Sequence, residues 1–265
     1  MLTRFPLSAV NASSVGSKGE RRPSVNTADT NEVTFYMKIR EYLKSLSLAN
    51  PQITFAPDFE HYRIYEDFVC DRKSEEGVDH PGEYSGQASI KLVCSQHPFS
   101  LLEEMSDPRG CEKKQRAYTQ EWVEYLKSEK LPVKEVHVCS AVDQNVFDAL
   151  CCQDTLESLR IKWLRCKQID EIVRLKNLKK LFLERASSLL DISPIVSLEN
   201  LEVLILGETK KITDYSALSA LKKLKVLGIC NYRTSINVTI KVKDLDFISE
   251  MPNLEYVDFM DVRLI

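Results

Sequence analysis

The feature that most constrains this chain is a spacing. Apolar triplets of the form L-x-x-L-x-L recur at Val133/Val136/Val138, Leu156/Leu159/Ile161, Leu178/Leu181/Leu183, Leu201/Leu204/Leu206, Leu224/Leu227/Ile229 and Leu254/Val257/Phe259, with first positions 23, 22, 23, 23 and 30 residues apart. A unit that short cannot bury its own apolar face. Successive units must therefore stack into one continuous core, each adding a short strand to a parallel sheet. The spacing predicts an α/β leucine-rich-repeat solenoid of about six repeats over residues 131–265.

The return half of each unit repeats as well. Asp191-Ile192-Ser193-Pro194-Ile195, Asp214-Tyr215-Ser216-Ala217-Leu218 and Asp244-Leu245-Asp246-Phe247-Ile248 hold equivalent places, followed three residues later by Leu198, Leu221 or Met251. Ser193 with Pro194 reads as the N-cap and first position of a short helical turn. The pattern resembles the internalin-like subclass of leucine-rich repeats, whose units run like "ITDISPLANLTNL". That resemblance implies a curved protein-binding array. In effectors with this repeat type the array selects a host target, so an effector-like role is compatible with it. One departure stands out. The family places Asn nine residues into each repeat, where this chain has Leu164, Ala186, Thr209 and Tyr232, so looser turns are expected.

At 265 residues there is room for a second modest domain. A net charge of −3 gives no global nucleic-acid or membrane signal, and no apolar run approaches the roughly 20 residues needed to span a bilayer. Neither partner is expected. Eight cysteines, at 70, 94, 111, 139, 151, 152, 166 and 230, form no C-x-x-C pair and follow no signal peptide, which reads as reduced thiols in a cytoplasmic chain. Residues 1–32 lack periodicity and read as a disordered tail. Their Arg4, Lys18, Arg21 and Arg22 against only Glu20 and Asp29 up to Asn31 also fit an address for export or an organelle.

Residues 33–130 read as a small α+β domain that caps the first coil. Val33, Tyr36, Met37, Ile39, Tyr42, Leu43 and Leu46 fall at helical spacing, and Tyr118, Trp122, Tyr125 and Leu126 line a second helix over about Lys114–Lys127. Strand-like runs, His61–Cys70 and Ala88–Cys94, flank a polar stretch from Ser74 to Gly86. Cys70, Cys94, His97 and Cys111 have no recognised zinc or nucleophile spacing. The expectation is no metal, no cofactor and no catalytic residue, with a catalytic or metal-binding 33–130 domain as the alternative.

Alternate side chains of a strand point to opposite sides. With the leucines inward, the concave face carries three columns: His137, Arg160, Phe182, Ile205, Gly228, Asp258; then Cys139, Lys162, Glu184, Gly207, Cys230, Met260; then Ser140, Trp163, Arg185, Glu208, Asn231, Asp261. Arg160, Trp163, Phe182, Arg185, Ile205 and Tyr256 are the candidate partner-binding residues, since aromatic residues and Arg dominate interface hot spots. The long repeat after Leu224 alternates Ile236, Val238, Ile240 and Val242 with polar residues, an extra strand. The end at Ile265 reads as an uncapped coil, open to end-to-end pairing with a second copy.

Overall fold

The computed structural model describes residues 38–39, 41–50, 52–55, 76–78, 80–92, 119–230 and 239–265. The six apolar triplets become the centre of one parallel sheet. Its repeat strands are β4 (Glu135–Val142), β5 (Ser158–Leu164), β6 (Lys180–Leu183), β7 (Val203–Gly207), β8 (Val226–Cys230) and β10 (Tyr256–Asp258). Every ladder position is buried and joins a single core. The chain returns from β5, β6, β7 and β8 through a five-residue 3-10 turn, and from β4 through the α-helix Gln144–Leu150. The fold is a leucine-rich-repeat solenoid.

Three of the return turns start on an aspartate. Asp191 Oδ1 accepts from Ser193 N at 2.8 Å, Asp214 Oδ1 from Ser216 N at 2.9 Å and Asp244 Oδ1 from Asp246 N at 3.3 Å. The cap is thus the Asp two residues earlier and not Ser193, which lies inside the turn and donates its own hydroxyl to Asp191 Oδ2. Both Ser193 groups favour the ionised carboxylate, and the carboxyls of Asp191 and Asp214 are held below the ordinary aspartate range by these serine bonds.

The turns after β6 and β7 are not loose. Ala186 N donates to Gly207 O at 2.8 Å and Glu208 N to Cys230 O at 3.1 Å, so their backbone groups pair with the next coil. A side-chain ladder exists too, one residue before the first leucine of the repeat. Thr155 Oγ1 donates to Leu131 O, Asn177 Nδ2 to Asp154 O, Asn200 Nδ2 to Lys176 O and Asn253 Nδ2 to Lys222 O, at 2.7–3.0 Å. Thr209, at the family's asparagine position, is buried and bonded to the Tyr215 hydroxyl at 2.7 Å.

Three short strands of the region 33–130 join the same sheet at its two ends. β2 (Glu76–Val78) and β3 (Ser89–Leu92) pair in parallel ahead of β4, while β1 (Thr54–Phe55) pairs with β10. The nine-stranded order is β1-β10-β8-β7-β6-β5-β4-β3-β2. β2 falls within the stretch read as a polar connection. β1 corrects the expectation of an open last coil. Around it, Ile39, Leu43 and Ile53 are buried in the core, Tyr42 hydrogen-bonds Asp246, and Asn50 Nδ2 donates to Leu254 O at 2.9 Å. The helix expected near Lys114–Lys127 is present at residues 119–128, with Trp122 and Leu126 buried as its pattern requires. The extra strand is β9 (Ile240–Val242), which pairs with β11 (Val262–Leu264) on the flank and turns Ile240 and Val242 inward. The tail 1–32, the run His61–Cys70 and the residues Cys70, Cys94, His97 and Cys111 lie outside the described residues. Among the described residues, cysteines 139, 151, 152, 166 and 230 are not joined to one another by a disulfide.

Candidate functional site

The concave columns form nearly as the alternation predicts. His137 stands opposite Arg160, Arg160 opposite Phe182, Phe182 opposite Ile205 and Ile205 opposite Gly228, which Asp258 also faces. The third column starts differently. Trp163 is opposite Ala141, not Ser140, because β4 bulges between Val138 and Ala141. Further along, Arg185, Glu208 and Asp261 share a left-handed backbone, with φ of 49°, 57° and 61°. Each sits where its coil leaves the strand, and each side chain there costs on the order of 1 kcal/mol relative to glycine.

Exposure overturns the simple picture of an open apolar face. Trp163 is 6% exposed, Phe182 2%, Ile205 0% and Tyr256 6%. Phe182, Ile205 and Tyr256 join Val203, Val226 and Cys230 in a second apolar cluster, separate from the main core. The physical reason is visible in the strands: VLILG in β7 and VLGIC in β8 are continuous apolar runs with every residue buried, the mark of a sheet covered on both sides.

The charged members of the face stay partly accessible. Arg160 donates through Nε and Nη2 to Glu184 Oε1, each at 2.8 Å, with side-chain exposures of 22% and 7%. Arg185 Nε lies 3.8 Å from Glu208 Oε1, with exposures of 27% and 7%. Arg160 also covers the Phe182 ring at 5.8 Å, while Trp163 carries Lys162 Nζ at 4.8 Å and Arg185 Cζ at 5.6 Å. Two nearly buried carboxylates thus hold two guanidinium groups over aromatic rings, a geometry in which Arg stacks and pairs at once. Of the six candidates, Arg160, Trp163, Arg185 and Phe182 come together in this way. Ile205 and Tyr256 belong to the buried cluster.

Sequence reasoning left Glu184 and Glu208 without a role, although both stand in its columns next to a cation, Glu184 beside Lys162 and Glu208 beside Arg185. It also passed over His137 and Cys139, whose Nε2 and Sγ lie 3.5 Å apart at the start of the same face. Among the described residues no group of three or more His, Cys, Asp or Glu side chains could hold a metal ion. Among them, too, no helix is long and apolar enough to cross a membrane.

No protein-family description matches this chain, and no curated protein does. Among solved structures, an internalin (inlF) from Listeria monocytogenes is similar at 17% identity and a TM-score of 0.34, over 51% of this chain and 48% of that one. This chain therefore spans about half the length of that protein. At that score the likeness carries no argument, and the fold rests on the strand pairings above.

Proposed function

We propose that this chain is a non-enzymatic interaction scaffold that receives a protein partner on the concave side of its array, with short internalin-like repeats. Arg160 and Arg185 make the contacts in this reading, over Trp163 and Phe182, while Ile205 and Tyr256 form the packed floor that keeps the strands in place. The observation that supports it is that Arg185 and Lys162 lie over the Trp163 ring at 5.6 and 4.8 Å and Arg160 over the Phe182 ring at 5.8 Å, while the Arg160 and Arg185 side chains stay 22% and 27% exposed. Oriented Arg over an aromatic ring has its side-chain entropy largely lost before binding, so docking costs less.

Affinity capture with the full chain and with its Arg160→Ala/Arg185→Ala variant tests the reading, with circular dichroism confirming equal folding. A protein recovered by the wild type and lost from the variant supports it. Equal recovery by both contradicts it.

A further inference from the structure

Charge is arranged along this array in two ways. Register places Lys134, Glu157, Lys179, Glu202, Lys225 and Glu255 in one row just before the strands, strictly alternating in sign. Neighbours in it pair: Lys134 to Glu157 at 3.1 Å, Lys179 to Glu157 at 2.7 Å and Lys225 to Glu202 at 2.8 Å. That row satisfies itself and asks nothing of a partner.

The concave side is different, and its character changes part-way along. One row across it runs Ser89, Glu135, Ser158, Lys180, Val203, Val226, Tyr256, and the next runs Lys91, His137, Arg160, Phe182, Ile205, Gly228, Asp258. The residues up to Lys180 in the first row and up to Arg160 in the second are half-buried, and every later one is buried. Solvent therefore reaches this side chiefly on β3 to β6. The acids there are already engaged: Glu135 accepts from Ser89 Oγ at 3.3 Å, and Glu184 holds Arg160 at 2.8 Å. Lys91 on β3, Lys162 on β5 and Lys180 on β6 are half-buried and have no carboxylate within salt-bridge distance among the described residues. Lys162 Nζ covers the Trp163 ring instead, at 4.8 Å. We propose that Lys91, Lys162 and Lys180 dock an extended acidic segment of the partner protein, laid across β3 to β6. This rests on the concave-side reading and names the chemistry of its partner.

Geometry and charge select that occupant. With strands about 4.8 Å apart and a rise of about 3.3 Å per residue, the three lysine positions stand roughly 12 to 16 Å from one another. That spread is too wide for one phosphate group. Carboxylates on alternate residues of an extended chain recur every 6.6 Å or so, so two or three of them span it. Single-stranded nucleic acid docks by stacking its bases on open aromatic rings, and here Trp163 and Phe182 are buried. A second copy docked face to face would bring the same cations against themselves.

The test is fluorescence anisotropy of a labelled Glu-Thr-Glu-Thr-Glu peptide against the full chain, with Gln-Thr-Gln-Thr-Gln as its neutral match. The acidic peptide is expected to bind, to weaken with added salt, and to lose roughly tenfold in affinity to K162Q/K180Q. K91Q/K180Q, which leaves Lys162 over Trp163, serves if that variant does not fold. K210Q/K211Q changes the net charge equally at two exposed lysines outside the strands, and should bind as the wild type does. No binding, equal binding to K162Q/K180Q or K91Q/K180Q, an equal loss in K210Q/K211Q, or equal binding of the neutral peptide would each overturn the proposal. So would tighter binding of a single-stranded oligonucleotide or a phosphatidylserine vesicle, or self-association of the chain that K162Q/K180Q removes. Partner capture that depends on Arg160 and Arg185 while the acidic peptide does not bind would overturn the acidic segment alone and leave the concave-side reading standing.

Discussion

Thr54 stands opposite Tyr256 in parallel register, so a strand that precedes the whole array closes its last coil. The contact is short, yet it is backed by Leu43, which is 1% exposed, and by the Tyr42 bond to Asp246. Leu43→Ala should therefore destabilise the far C-terminal repeat by about 2–5 kcal/mol, as a large-to-small core change does. Chemical denaturation checks this. A cost below about 1 kcal/mol would mean that the segment only rests on the coil.

The buried second cluster predicts stability effects on the concave side of the sheet. Phe182→Ala should cost about 3–5 kcal/mol, comparable to the inward Leu204→Ala at about 2–5 kcal/mol. Arg160→Ala should cost more than an exposed ion pair, because it strands the Glu184 carboxylate at 7% exposure. An unchanged unfolding midpoint for Phe182→Ala would return that residue to the list of free contact residues.

The alternating row gives a salt-sensitive prediction. Glu157→Lys places a third cation between Lys134 and Lys179, which now both pair with Glu157. Exposed pairs are weak, so the expected loss is about 1 kcal/mol, and it should shrink as ionic strength rises. Equal losses at low and high salt would show a packing effect instead.

Acid should weaken the return turns. The Ser193 and Ser216 bonds depress the carboxyls of Asp191 and Asp214 below their unfolded values. A depressed pKa contributes stability that is fully present above the unfolded value of about 3.9 and is lost as pH falls through the folded value. Stability should then be flat from about pH 5 to 7 in this respect and fall below about pH 4. Asp191→Asn keeps the acceptor for Ser193 N and should flatten that fall, measured as the urea midpoint against pH. An identical acid slope in wild type and variant would contradict the assignment.

Much of this architecture is legible in the residues, and the gaps have physical causes. The ladder from Val133 to Phe259 needs only periodicity, and all of it is buried. The column Arg160, Phe182, Ile205 follows from strand alternation alone. Alternation also suggested that Phe182 and Ile205 face water, whereas the unbroken apolar runs of β7 and β8 carry the opposite signal. The bulge that sets Trp163 beside Ala141 leaves no mark in composition. Strands of two or three residues, such as Thr54–Phe55 and Glu76–Val78, are too short for any period and exist through distant partners. The alternating Lys and Glu row was readable in full once the register was known.

Amide hydrogen exchange across β10 tests most directly the claim that one sheet is closed at its C-terminal end by β1. In the wild-type chain, Tyr256, Val257 and Asp258 should exchange as slowly as Leu181–Leu183 in β6, and in Ile53→Asp they should exchange much faster while β6 keeps its protection. Fast exchange of β10 in the wild type, at the rate of a frayed terminal strand, would contradict the account.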